Sequence, residues 1–191
     1  MKMEPSNALI VVDMQNDFCP GGALAVEGGD DIVPGINALI PRFEKRVFTR
    51  DWHPPDHCSF AEDPQFVDGS WPVHCVANTD GAAFHPDLIV PDDARVVSKA
   101  ANPDREAYSG FDGTGLSDAL RAAGVKRVFV CGLALDFCVR MTAIDAVVEG
   151  FDTVLLRDLT RAVNNSPDAV DETLKQIERA GVTIAESKNL T

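Results

Sequence analysis

An α/β fold on a largely parallel sheet is predicted by three features of the chain. Short β-branched runs recur along its length, helical patterns separate several of them, and glycines follow three of the helical stretches. A parallel sheet in this class is covered on both faces.

The strand candidates, in order, are Ala8–Val12, Arg46–Thr49, Arg95–Ser98, Arg127–Cys131, Thr153–Leu156 and Val182–Ala185. Each is a short run enriched in β-branched residues. Helices are expected at Ile32–Phe43, Leu116–Ala123, Cys138–Glu149 and Asp168–Ala180, with Gly124, Gly150 and Gly181 placed to end the last three in a left-handed conformation. The stretch from Asp51 to Pro91 breaks the alternation. It is rich in Pro, His, Asp and Gly, has no sustained period, and is long for a connection inside a compact domain, which marks it as functional. No internal repeat or low-complexity linker is present, so residues 1–191 are read as one domain carrying an inserted loop at about 51–91.

With 191 residues, 45% hydrophobic and 25% charged, the chain is long enough to bury a substantial core. Its formal net charge of −13 opposes binding to nucleic acid or anionic lipid and favours a small-molecule substrate. Five cysteines, with no CxxC pair, and no basic or apolar leader pattern lead us to expect free thiols in a reducing, cytoplasmic compartment. No apolar run reaches the length of about 20 residues that a bilayer span needs.

Ligands of open parallel sheets bind beyond the carboxyl ends of the strands, so polar residues there carry the functional reading. The first run delivers Asp13 directly after buried residues, either as a base or as the cap of a turn. The second ends near Asp51 and His53. Side-chain direction repeats every two residues in extended chain, so these two face the same way, and His74 can return from the loop to complete a facial set for Zn, Fe or Mn. A polar loop with incidental histidines is the alternative. The third run presents Lys99, which can hold a negative charge in a cleft or lie solvated in a loop. The fourth leads through Gly132 to Cys138, expected in the first turn of a helix, where unpaired N–H groups and the helix dipole favour thiolate. Cys131, inside the strand, reads as an inert small hydrophobe. Arg157 and Asp158, at the end of the fifth run, read as structural.

These residues fall within blocks that resemble the nicotinamidase/pyrazinamidase branch of the isochorismatase-like cysteine hydrolases. The blocks are Val11 to Gly22, Asp51-Trp52-His53-Pro54, Trp71 to Val76, Ser98-Lys99, Ala107 to Phe111, and Gly132 to Val139. The first and last belong to the wider superfamily; the middle ones narrow the choice to amidases with a metal loop. The resemblance implies a Rossmann-like three-layer α-β-α fold with a six-stranded parallel sheet. It implies hydrolysis of nicotinamide to nicotinate and ammonia, and of pyrazinamide to pyrazinoate, through a Cys138 thioester, in NAD salvage. Asp13, Lys99 and Cys138 would form the catalytic triad, with an oxyanion site at Ala134 and Cys138 beside a cis peptide between Leu133 and Ala134. Asp51, His53 and His74 would hold one divalent metal ion, zinc first and iron or manganese next, with His57, Ser59 or a water completing the sphere. Phe18, Trp71 and Tyr108 match the aromatic residues of the family's ring pocket. Ala100 stands where many members carry glycine. Family members vary in assembly, so a homo-oligomer is compatible with the resemblance. The competing readings are another cysteine hydrolase of this superfamily acting on a different small amide, ureido acid or vinyl ether, and a non-enzymatic binding pocket.

Overall fold

The structure is a computed structural model that describes residues 4–66 and 69–190. Six parallel strands form one sheet in the order β3-β2-β1-β4-β5-β6. They are β1 Asn7–Val12, β2 Lys45–Asp51, β3 Arg95–Lys99, β4 Arg127–Leu133, β5 Asp152–Arg161 and β6 Thr183–Ala185. Four α-helices connect and cover them: α1 Val33–Leu39, α2 Leu116–Ala122, α3 Arg140–Val148 and α4 Pro167–Arg179.

Every residue of β1 is buried, because both faces of the sheet are covered. Leu9 and Val11 pack with Val33, Ile36 and Leu39 of α1 on one face. Ala8, Ile10 and Val12 pack on the other with Leu116 and Leu120 of α2, Ala143 and Ala146 of α3, and Leu174 and Ile177 of α4. That is the period-2 alternation of a strand, apolar in both directions. Each such side chain contributes about 1.5–3 kcal/mol by leaving water.

Three elements depart from their predicted bounds. The stretch expected as a helix over Ile32–Phe43 is an α-helical turn pair flanked by 3₁₀ turns at Asp30–Ile32 and Ile40–Arg42. Pro41 lacks the N–H that a continued α-helix would use. The fifth strand, expected to stop before Arg157-Asp158, runs on to Arg161. Its pairing with β4 jumps from Val130–Leu155 to Gly132–Thr160, so Leu156 to Leu159 form a wide bulge opposite Cys131. Within it Asp158 accepts hydrogen bonds from the N–H and Oγ of Ser187, tying down the C-terminal turn. The third departure, at Cys138, belongs to the site.

Residues 52–94 carry no α-helix or extended strand among those described, and residues 67 and 68 lie outside the described set. The segment is tied to itself and to the sheet. His53 pairs with Val76 and Phe60 with Trp71, and the N–H of His53 donates to Cys75 O at 3.1 Å. No helix among the described residues is long and apolar enough to cross a membrane.

Chain order runs outward from β1 to β3, then restarts at β4 on β1's other side. The crevice beyond β1 and β4 is therefore the topological switch point. Backbones approach closely there. Gly132 has φ +111°, and a Cβ on it would lie 2.1 Å from Val12 O. We expect Gly132→Ala to cost about 3 kcal/mol or more, or to prevent soluble folding; a urea midpoint matching that of the parent would refute the close approach. Ala100, following β3, adopts φ +51° with a side chain that disfavours it. Ala100→Gly should raise stability by roughly 0.5–1 kcal/mol, seen as a higher thermal midpoint, and a lowered midpoint would remove the strain assigned to this residue.

Candidate active site

Four strand ends meet at the switch point. Asp13 follows β1, Asp51 closes β2, Lys99 closes β3, and Cys138 lies in the five-residue turn Leu135–Val139 that follows β4. The Lys99 side chain has no solvent exposure, and its Nζ is the hub. It lies 2.9 Å from Asp13 Oδ2, donates to Asp51 Oδ1, and lies 3.3 Å from Cys138 Sγ.

Asp13 is held by Thr49, whose hydroxyl donates to Oδ1 at 2.6 Å. Its Oδ2 contacts Lys99 without an aligned hydrogen bond and so keeps a lone pair available. The carboxylates of Asp13 and Asp51 and the thiol of Cys138 all approach within 4.8 Å of one another. Burial raises the Asp13 pKa, and neighbouring Lys99 offsets that only in part. Asp51 is also buried, but Lys99 and then His53 hold its pKa below the usual carboxylate range. Lys99 is pushed well above an ordinary lysine: burial disfavours its charge, and Asp13, Asp51 and Cys138 together outweigh burial.

Cys138 differs from its expected setting. It lies within a π-helical turn, Leu135–Val139, and α3 begins only at Arg140. Its thiol pKa is raised, because burial outweighs the attraction of Lys99 and the two nearby carboxylates add to the rise. The resting group is a thiol that must pass its proton on, and Asp13 is the neighbour whose raised pKa suits it as acceptor. The peptide between Leu133 and Ala134 is cis, at the start of the turn.

Asp51, His53 and His74 converge as a second cluster with ligand atoms within 4.8 Å of one another. His53 Nδ1 faces Ala100 O at 3.2 Å and His74 Nδ1 faces Pro72 O at 2.8 Å, so each Nδ1 carries the proton. That leaves both Nε2 lone pairs pointing at each other across 3.3 Å, with Asp51 Oδ2 3.7 Å from His53 Nε2. Two facing lone pairs beside a carboxylate repel one another unless a cation stands between them. This donor set fits a divalent metal ion. His57 lies against His53, tilted by 41° with 4.2 Å between ring centroids, but its own nitrogens are taken: Nδ1 meets Ser59 Oγ at 2.7 Å and Nε2 meets Arg105 O at 3.2 Å.

A pocket of about 390 Å³, part of it open to solvent, lies over both clusters. Phe18, Trp71 and Tyr108 form its walls, with Asp51, His74 and Cys138 reaching it from below. Trp71 Nε1 donates to the Tyr108 hydroxyl at 3.0 Å, which fixes two of the three rings.

Sequence reasoning passed over three residues. Gln15 brackets the Asp51 backbone, accepting from its N–H at 2.7 Å and donating to its carbonyl at 2.8 Å. Thr49 orients Asp13. Phe137 stands edge-on to Trp71 at 4.9 Å and lines the pocket. The available signals were a glutamine two residues after Asp13, a hydroxyl inside a buried strand, and an aromatic beside the nucleophile.

The geometry agrees with what comparison with known proteins finds. Residues 7–189 match the isochorismatase domain model. The chain is 43% identical to the nicotinamidase/pyrazinamidase of Mycobacterium tuberculosis over 93% of its length and 97% of the relative's. Among solved structures it is 48% identical to the pyrazinamidase of Pyrococcus horikoshii in complex with zinc, with a TM-score of 0.87 over 95% of this chain and 99% of that one. It is also 41% identical to PnC1 from L. infantum in complex with nicotinate, with a TM-score of 0.89 over 98% and 96%. A six-stranded parallel sheet, a buried Asp-Lys-Cys cluster at its switch point and similarity along nearly the full length lead to one assignment: the chain belongs to the isochorismatase domain family.

Proposed function

We propose that the protein is a nicotinamidase, hydrolysing nicotinamide to nicotinate and ammonia and accepting pyrazinamide in the same way, with a place in NAD salvage. The observation that carries this reading is the stacking of two clusters under one aromatic pocket: a nucleophile with its proton acceptor, and a cation site sharing Asp51 with it. Relatives described as nicotinamidases, and the neighbour holding nicotinate, support the substrate.

In this mechanism the flat ring enters between Phe18, Trp71 and Tyr108 with its carboxamide over Cys138. The thiol passes its proton to Asp13 Oδ2 as sulfur bonds to the carboxamide carbon. The carbonyl oxygen takes the displaced electron pair, and the N–H groups of Ala134 and Cys138 stabilise it. Lys99 remains charged and keeps Asp13 and the sulfur in line. When the carbonyl re-forms, the C–N bond breaks, and the proton on Asp13 goes to the leaving nitrogen, which departs as ammonia. Asp13 then takes a proton from a water that attacks the thioester, returning the thiol and releasing nicotinate. Asp51, His53 and His74 are the residues that would hold a divalent ion, zinc in our reading, and a metal bound there supplies a Lewis-acid anchor for a ring nitrogen. Other small amides or ureido acids are the alternative substrates; the cation set beside the ring pocket favours a heteroaromatic amide over them.

Metal-replete protein given nicotinamide should yield ammonia and nicotinate in equal amounts, and a chelator should stop both. No product across added zinc, iron and manganese would overturn the substrate assignment. Cys138→Ala should lower turnover by at least about 10³-fold while metal content, measured by elemental analysis, stays at the parent level. His53→Ala should lose the metal. Substantial turnover in the first variant, or full metal content in the second, would reverse the roles given to these residues.

A further inference from the structure

Val163 lines the mouth of the pocket although it lies beyond the end of β5, in the segment 162–166 that leads to α4. This segment is fastened at two points. The backbone N–H groups of Val163 and Asn164 both donate to Asp136, one to each carboxylate oxygen and each at 2.9 Å. Asn165 Nδ2 donates to Glu27 Oε2 at 2.5 Å, in the loop whose Leu24 and Val26 also line the pocket. Asp136 itself belongs to the turn that carries Cys138.

The segment is thus a strap at the pocket, tied at one end to the turn that carries Cys138 and at the other to the loop of Leu24 and Val26. A second hollow lies outside the strap. It shares Trp71, Phe137 and Val163 with the substrate pocket, so these three side chains form the partition between the two. Val163 is 42% exposed, so packing holds it only in part. Its position therefore depends on the backbone, and the backbone depends on Asp136.

We propose that Asp136 is a positioning residue and Val163 a specificity-determining one: through the strap, the Asp136 carboxylate sets the width of the pocket mouth and so the size of amide admitted. Two N–H donors on one carboxylate make a rigid clamp, since each of those charge-assisted bonds is stronger than a bond between neutral groups. Asparagine at this position offers one acceptor oxygen and releases one of the two donors. Substrate selection by the strap rests on the amidase reading above, whereas access of a small reagent to Cys138 does not.

The test uses the full-length, metal-replete protein with Asp136→Asn, Asp136→Ala and Val163→Ala, the last of which widens the mouth without touching the clamp. Asp158→Ala is the matched control. It releases a carboxylate clamp of the same kind, on Ser187 in the C-terminal turn, and Asp158 is not among the residues lining the substrate pocket. One measurement is the rate at which iodoacetamide modifies Cys138, followed at that peptide by mass spectrometry. The other is steady-state kinetics with nicotinamide. We expect all three mouth variants to be alkylated at least about threefold faster than the parent. We expect the Asp136 variants to show a KM raised about tenfold with kcat changed less than about twofold, as befits lost substrate positioning. Asp158→Ala should lower thermal stability and leave both readouts at the parent values. Equal alkylation in parent and mouth variants, or equal acceleration in the Asp158 control, would overturn the proposal. If the parent turns over no nicotinamide, the function proposed above fails and alkylation alone decides the role of the strap.

Discussion

The architecture depends on one buried ammonium group. Lys99 Nζ has no solvent to answer its charge and draws in Asp13, Asp51 and Cys138 from three other strand ends. Removing a charge from water costs several kcal/mol even after relaxation, and only close, well-aligned partners offset it. One positive charge between two carboxylates cannot neutralise both. Lys99 holds Asp51 ionised despite its burial, whereas at Asp13 the same charge offsets burial only in part, and Asp13 is the carboxylate driven toward protonation. The chemistry assigned to the site follows from that inequality. Its raised pKa makes Asp13 a stronger base toward the neighbouring thiol than Asp51 is.

The shared carboxylate gives Asp51 two tasks, one per oxygen. Oδ1 takes a hydrogen bond from Lys99, and Oδ2 faces the histidines. Gln15 fixes the backbone that makes this division possible, using its donor on one side of the residue and its acceptor on the other. One residue at the end of β2 therefore joins the histidine cluster to the Lys99 hub.

Much of this was legible before the structure. Six short runs became six strands; burial on both faces leaves the central ones little freedom for any other pattern, and the edge strands β3 and β6, partly exposed, kept their β-branched signal. Asp13, Asp51, Lys99 and Cys138 stand out in the sequence as polar or reactive residues just beyond the ends of those runs. The features that were not legible have physical causes. Pro41 splits a stretch whose apolar spacing otherwise suits one helix. The bulge in β5 hides behind Arg157 and Asp158, whose polarity imitates a strand end; pairing with β4 lapses there and resumes at Thr160. The first helical turn was expected to prepare a thiolate, but that reading counts the helix dipole and its unpaired N–H groups and omits desolvation, which dominates at a buried sulfur. Thr49 and Gln15 act through hydrogen bonds to residues 36 positions away, and spacing along a chain carries no trace of such partners.

The order of the sheet also bears on how the site comes into being. β1 is central and pairs with β4, joining Asn7 to Arg127 and so closing a loop of most of the chain. Closing long loops comes late, after local structure has formed, because its entropy must be met before distant contacts can repay it. The strand carrying Asp13 and the strand leading to Cys138 meet only across that seam. A nascent or partly unfolded chain can therefore hold helices and separate pairs of strands and still lack the pocket, so Asp13 and Cys138 are brought together only in molecules that have completed the central pairing.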